Sequence, residues 1–351
     1  MILTNNMLSF ALDVREAQPW KLINDSCIFA LRLSSGETGY ICVMGNGGEH
    51  FAIGLYIGQR GFSDYLTSLK LEGESHLEMM EAGMAFDYIM CDFENASDIE
   101  PETKKRIKDY VETNGRKIKR PKGWPDFIRH LPYKALFPIT KEKDAQAITE
   151  ALQAVLALTV KLHETSAEAL GFDPKRRYPT AKGGKMVPLL TPANDGSYEF
   201  GTTALPTMKK NKHDVTPFTN DILTHTLSKL PKHGAIACKF FHLPQPLDDG
   251  QDEVPSLMPI ILLINEGNGM AFPIMPTQEN LSNLTYLLTN LAQTFISQKN
   301  VPAEIVVTER RTQALLKDFC HRCSIKLTLT DFIPELEEAA EMLYMQMTLL
   351  G

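Results

Sequence analysis

A chain of 351 residues, 43% hydrophobic and 23% charged, can bury a sizeable core, and its length suits two domains. A formal net charge of −7 argues against a dedicated nucleic-acid protein, whose footprint is usually basic overall, but leaves room for a local basic patch. No apolar run spans a bilayer, Met1 to Leu12 hold no basic leader pattern, and six scattered cysteines do not make a disulfide scaffold, so a cytoplasmic protein without membrane contact is expected.

In chain order, the pattern predicts a helix over Asn5–Glu16 and then three strands, Cys27–Leu33, Gly39–Met44 and Phe51–Ile57. Each strand is rich in β-branched or aromatic residues, and turns at Ser34–Glu37 and Gly45–Gly48 separate them, as antiparallel hairpins require. Helices are predicted over Phe62–Leu69 and His76–Gly83, then a strand over Phe86–Cys91. A helix follows over Pro101–Thr113, with Pro101 in its first turn and Gly115 past its end. Lys117–Lys119 is expected as a short fifth strand. A long helix is expected over Lys141–Glu164 with Thr140 as its cap. Residues 166–214 are rich in Pro, Gly and Lys and read as a connector, with Met186–Leu190 a strand candidate inside it.

The last segment repeats the order. Strands are predicted at Ile236–Leu243, Met258–Ile264 and Met270–Ile274, the last two joined by a turn at Glu266–Gly269. A helix over Gln278–Gln298 with a Thr277 cap comes next. Strand Glu304–Val307, helix Arg310–Cys323, strand Ile325–Leu329 and helix Pro334–Leu349, opened by Asp331, complete the set. The expected fold is therefore α/β with mixed sheets. It has an N-terminal domain over 1–165, a connector over 166–214 and a C-terminal domain over 215–351. Each domain runs three antiparallel strands, then helix, strand, helix, strand, helix, an order that resembles the ribonuclease H-like fold.

Several stretches carry a family resemblance. They are Gly39–Gly45, Gly48-Glu49, Gly54–Gly58, Gly61, Asp92-Phe93-Glu94 and Trp124-Pro125-Asp126-Phe127. In the second half they are Glu266–Gly269, Pro302–Val307 and Pro334-Glu335-Leu336. Together these resemble a bacterial family of paired domains of unknown function, also found beside plasmid open-reading-frame-three-like proteins. The resemblance implies no activity and supplies no catalytic residues.

A ribonuclease H-like fold raises two-metal phosphodiester cleavage, with Mg²⁺ or Mn²⁺ held by clustered carboxylates. That centre usually has acids in the first strand, on the first helix, at the end of the fourth strand and on the last helix. The first half offers Asp64, Asp92 and Glu94 as candidates, but its first strand holds no acid. The second half offers Glu279, Glu309, Glu335 and Glu338, but its first strand carries Lys239, the wrong charge. Neither set is complete, so these acids read first as caps and solvated faces, and no metal or other cofactor is expected. The glycines of Gly45–Gly48 join two strands without a following Lys-Ser or Lys-Thr, so they read as hairpin glycines and not as a phosphate loop. Glu49 and His50 beside that turn could ligate a metal or exchange protons. Cys320 and Cys323 form a lone Cys-x-x-Cys at a helix C-terminus, where neither zinc nor redox chemistry is served.

Two surfaces suggest partners. Lys104, Lys105, Arg106, Lys108, Arg116, Lys117, Lys119, Arg120 and Lys122 lead to Trp124, a basic and aromatic stretch that suits a nucleic-acid backbone. Lys175–Arg177 and Lys209, Lys210 and Lys212 add charge in the connector. The competing reading is a solvated helix face in an acidic protein. The last helix carries Ala339, Ala340, Met342, Leu343, Met345, Met347, Leu349 and Leu350, more apolar surface than one face needs. Core packing explains it most simply; contact with a protein partner or a second copy is the alternative. The balance of these readings is a non-catalytic binding or scaffold protein, with a divergent metal-dependent nuclease or nucleic-acid-binding protein as the alternative.

Overall fold

The computed structural model describes residues 1–71, 75–172, 186–207, 213–248, 250, 253–265, 269–276 and 283–350, with 348–350 described by backbone alone. In chain order the first elements are α1 (Asn5–Ala17), β1 (Phe29–Arg32), β2 (Thr38–Met44), β3 (Ala52–Ile57), α2 (Gly58–Ser68), α3 (His76–Met84) and β4 (Tyr88–Glu94). Next come α4 (Pro101–Thr113), β5 (Trp124–His130), β6 (Phe137–Pro138), α5 (Glu142–Glu164), β7 (Met186–Pro192) and β8 (Tyr198–Ala204). The remainder is α6 (Asp221–Lys229), β9 (Ala235–Leu247), β10 (Ser256–Asn265), β11 (Ala271–Ile274), α7 (Leu284–Ser297), β12 (Glu304–Val307), α8 (Arg310–Arg322), β13 (Lys326–Leu329) and α9 (Pro334–Leu350). Among the described residues no helix is long and apolar enough to cross a membrane.

The chain forms two compact units. One comprises Met1–Glu72, Ala85–Pro132 and Leu136–Lys209; the other comprises Gly73–Met84, Tyr133–Ala135 and Lys210–Gly351. Helix α3 is therefore part of the second unit, and the β7–β8 hairpin is part of the first.

The first unit holds an eight-stranded mixed sheet in the order β6-β5-β4-β3-β2-β1-β7-β8, with every neighbour antiparallel except β1 and β7. Helices α1 and α5 and the buried Ile107 and Tyr110 of α4 pack with one face of the sheet. Phe62, Tyr65 and Leu66 of α2 pack with Ile28, Ala30, Tyr40 and Cys42 on the other. Thr4 caps α1 by accepting from the Met7 N–H at 3.2 Å. The second unit holds a five-stranded mixed sheet in the order β11-β10-β9-β12-β13, with β12 parallel to both β9 and β13. Leu288, Leu291 and Phe295 of α7 and Leu316 and Phe319 of α8 cover one face. Leu336, Ala340 and Tyr344 of α9, with Leu77 of α3, cover the other.

Several sequence expectations need correction. Lys117–Lys119 is not a strand: Lys117 and Lys119 are exposed, and the fifth strand is β5, seven residues later, antiparallel to β4. Pro125 is tolerated there because β6 pairs only with Ile128 and Arg129, leaving the Pro125 end of β5 without a second strand neighbour among the described residues. In the first unit β4 lies beside β3, so its sheet is a meander and does not repeat the second. The cap position of α5 is Lys141, not Thr140. The Glu337 N–H bonds the Ile333 carbonyl, which opens α9 two residues after Asp331. Strands β6 and β8 and helix α6 are additional to the elements the sequence pattern predicts. The Glu266–Asn268 part of the second turn, the Thr277 cap and the Gln278–Glu279 helix start lie outside the described residues, as do Lys175–Arg177, Lys209, Lys210 and Lys212.

Candidate functional site

One end of the first sheet gathers residues scattered along the sequence. The register of the meander places Ala52 beside Asp92 and Asp92 beside Asp126, and pairs Glu94 with Trp124. Alternation along β4 puts Asp92 and Glu94 on one face, while Ile89, Cys91 and Phe93 enter the core on the other. Just ahead of β3, the His50 Nε2 stands 3.2 Å from the Asp92 Oδ1. That approach is off-line, for this oxygen accepts no well-aligned hydrogen bond among the described residues. Asp92 is 4% exposed, whereas half of the His50 side chain faces solvent. Burial first, then the Glu94 and Asp126 carboxylates, push the Asp92 carboxyl up to about 7. Asp126 is raised mainly by burial, with the Phe127 N–H partly offsetting it and Glu94 and Glu100 adding to the rise.

The rim is tied down from α1. Buried Arg15 donates to the Lys122 carbonyl at 2.7 Å and to the Pro121 carbonyl at 2.8 Å, and its guanidinium lies over the rings of Phe51 and Trp20. The Lys122 ammonium donates to the Glu49 carbonyl, and its N–H donates to the Asn95 side chain at 3.3 Å. Gly45 and Gly48, both with positive φ, turn the hairpin alongside. Thus His50, Asp92, Glu94 and Lys122 are brought together, with Glu49 contributing through its backbone; Trp124 pairs with Glu94 along the strands, but its side chain packs against the core cluster. Asp126 joins them; it lay inside a recognised motif, but no pattern marked it as chemical.

Asp64 does not join this group. Its carboxylate is held by Arg60 at 3.1 and 3.2 Å and by the Asp87 N–H at 3.0 Å. Asp87 and Asp92 are five residues apart in extended chain, roughly 16 Å. Among the described residues, no group of three or more His, Cys, Asp or Glu side chains is placed to hold a metal ion. The site can exchange protons near neutrality through a carboxyl that an exposed imidazole approaches.

The basic stretch is partly neutralised from within. Arg116 pairs with Asp13 at 2.5 Å and Arg120 with Glu16 at 3.5 Å. Arg106 donates to the Asn5 side chain at 2.6 Å, and Lys104 to the Ala96 carbonyl. Lys105, Lys108, Lys117 and Lys119 are exposed, but so are Asp109 and Glu112 of the same helix.

In the second unit, Lys239 lies in β9, the first strand of that sheet, and is 2% exposed. Its ammonium is 2.6 Å from Glu309, just past β12, and 2.6 Å from Glu337 in the first turn of α9. Thr308 donates to the other Glu337 oxygen at 3.1 Å. Burial alone would lower the Lys239 pKa, but the carboxylates, Glu309 foremost, hold it above its ordinary value. Burial raises Glu309, and Lys239 offsets only part of that rise. Glu335 and Glu338, the acids singled out from sequence on this helix, are exposed. Beside the pair opens a cleft of about 430 Å³ whose lining includes His76, Glu78, Asp331, Glu338 and Glu341.

Two further sequence features can be placed. All six cysteines are free and buried, and burial pushes the Cys320 thiol up to about 12 and Cys323 up to about 11. On α9, Leu336, Ala340 and Tyr344 are fully buried, while Met342 and Met345 are exposed.

Comparison with known proteins accords with the two-unit reading. A search of curated proteins returned no match to the chain. Residues 5–178 match one domain of unknown function (DUF7309), and residues 223–344 match another (DUF6930). The chain belongs to the proteins that carry these two domains of unknown function in tandem.

Proposed function

We propose that this chain is a non-catalytic binding protein, and that its second unit keeps a ribonuclease H-like frame whose carboxylate centre is closed from within by Lys239. The carrying observation is the Lys239 ammonium, 2.6 Å from both Glu309 and Glu337. These three residues stand on the first strand, past the end of the fourth strand and on the last helix, the places from which a nuclease of this frame draws its metal ligands. Two-metal cleavage needs free carboxylates around two cations about 3.5–4 Å apart. Here the chain supplies one cation itself, from the strand that should carry an acid. The five-stranded mixed sheet with helices on both faces supports the frame.

In the first unit, the separation of Asp64 from Asp92 and Glu94 also speaks against a metal centre. A nucleic-acid partner would rest on Lys105, Lys108, Lys117 and Lys119. Six buried free thiols support a reducing, cytoplasmic setting.

The test incubates the protein with labelled single- and double-stranded DNA and RNA in Mn²⁺ and in Mg²⁺, and follows anisotropy at two salt concentrations in EDTA. No cleavage is expected. Turnover that disappears in Asp92→Ala or Glu309→Ala would overturn the proposal. Binding that weakens steeply with salt would identify nucleic acid as the partner.

A further inference from the structure

Among the described residues, strand β8 is an open sheet edge whose one charged side chain is Glu199. The other three edges are blunted: β6 has two residues, β11 has four including Pro273, and β13 has four including Lys326. By contrast β8 runs seven residues, Tyr198–Ala204, without Pro, Lys or Arg, and Glu199, Phe200, Gly201 and Thr202 are all exposed. Among the described residues no strand pairs with its outer side.

The hairpin fixes which backbone groups face outward. The Ala193 N–H bonds the Ser197 carbonyl at 2.9 Å, so Ala193 and Ser197 form a hydrogen-bonded pair. Such pairs alternate along an antiparallel ladder. In the β7–β8 register, Thr191–Glu199, Leu189–Gly201 and Val187–Thr203 are therefore the bonded pairs. The N–H and C=O groups of Tyr198, Phe200, Thr202 and Ala204 then point to the open edge. Pro188 and Pro192 agree with this phase, since they sit opposite Thr202 and Tyr198, where β8 needs no N–H from β7.

We propose that β8 pairs antiparallel with β8 of a second copy of this chain, about a two-fold axis through Gly201. That register sets Phe200 opposite the second copy's Thr202 and Tyr198 opposite its Ala204. All four carry outward groups, so about eight interchain hydrogen bonds form. Gly201 meets itself at a non-bonded position, where Cα atoms approach to about 4.5 Å, and its missing Cβ removes the contact a side chain would make there. The single charge, Glu199, falls opposite Thr203 and not opposite its own copy. Phe200, 37% exposed, comes diagonally within reach of its counterpart and becomes covered. The contact is isologous, as a closed two-fold dimer requires.

The test places one cysteine on the full chain and oxidises it with oxidised glutathione. The six native thiols are buried, which keeps the background low. A Cβ on Gly201 meets nothing within 4 Å, so Gly201→Cys is accommodated. The pairing predicts that Gly201→Cys gives a disulfide-linked dimer at least tenfold faster than Glu199→Cys or Thr203→Cys alone. It also predicts that a mixture of those two cross-links as a heterodimer. Thr202→Pro, which removes an outward N–H and spares the β7 ladder, is expected to turn a dimer by light scattering into a monomer. Equal cross-linking of Gly201→Cys and Glu199→Cys, a monomeric unmodified chain at 100 μM-scale concentration, or an unchanged dimer in Thr202→Pro would overturn the assignment.

Discussion

Replacing Lys239 with Met removes the ammonium and keeps most of the stem volume. Two carboxylate oxygens that each lie 2.6 Å from one nitrogen are within about 5 Å of each other. Without the cation between them, two ionised groups at that distance repel by about 3 kcal/mol at an effective dielectric near 20. Removing one partner of a fully buried ion pair costs about 3–5 kcal/mol. The Glu309 and Glu337 side chains keep 31% and 25% exposure, which lets water take up part of the strain, so a loss of about 2–4 kcal/mol is expected. The loss has a pH signature. Burial already raises Glu309, and losing Lys239 removes what offsets that rise, so the penalty is absent below the unfolded carboxyl value and grows as pH rises through the folded one. Urea unfolding followed by far-ultraviolet circular dichroism is therefore expected to show a larger deficit at pH 8 than at pH 4. A deficit below about 0.5 kcal/mol, or one that does not change with pH, would refute the reasoning.

Other outcomes follow from the same geometry. Asp92 has a folded pKa raised to about 7, so the intact chain loses stability as pH climbs from the unfolded carboxyl range toward 7. Asp92→Asn removes that loss and is expected to be more stable than the parent at pH 8 by about 2–4 kcal/mol, and nearly equal at pH 4, by urea titration. Gly45 has φ +137°, and a Cβ there would lie 2.6 Å from the Phe51 ring and 2.9 Å from Trp20. Gly45→Ala is expected to cost about 1–3 kcal/mol and to shift tryptophan emission; unchanged thermal unfolding would contradict this. Glu81 accepts from the His242 N–H at 2.7 Å and pairs with Arg311, beside a His242 ring that burial holds neutral, down to about 3. Glu81→Gln leaves the Arg311 charge without its carboxylate and is expected to cost about 2–4 kcal/mol in urea unfolding at pH 7.

Local signals made many elements readable. Helix α4 was legible to both ends because Pro101 opens it and Gly115 follows it, and β12 was legible because four residues of strand pattern sit between turns. Strand β5 was hidden by Pro125 and by Asp126 and Arg129, charges on opposite faces; only its pairing to β4 makes those residues a strand. The candidate site was half legible. Its residues were named, but the contact between His50 and Asp92 arises from the β3–β4 register, which no local pattern encodes. The same limit explains Asp126. On α9 the buried stripe of Leu336, Ala340 and Tyr344 fixes the rotation that turns Glu337 toward Lys239 and leaves Glu335 and Glu338 outside. A composition reading of that helix cannot choose among its acids. The membership of α3 in the second unit was equally beyond local pattern, since it depends on contacts such as Leu77 against the α9 face.

Lys239 offers the most direct test of the closed-centre account. Titration calorimetry with Mn²⁺ would compare the parent chain with Lys239→Asp. The account predicts no saturable Mn²⁺ binding in the parent and a saturable site in Lys239→Asp, where an acid stands in the first strand beside Glu309 and Glu337. Stoichiometric Mn²⁺ binding by the parent that is lost in Glu309→Gln would contradict it.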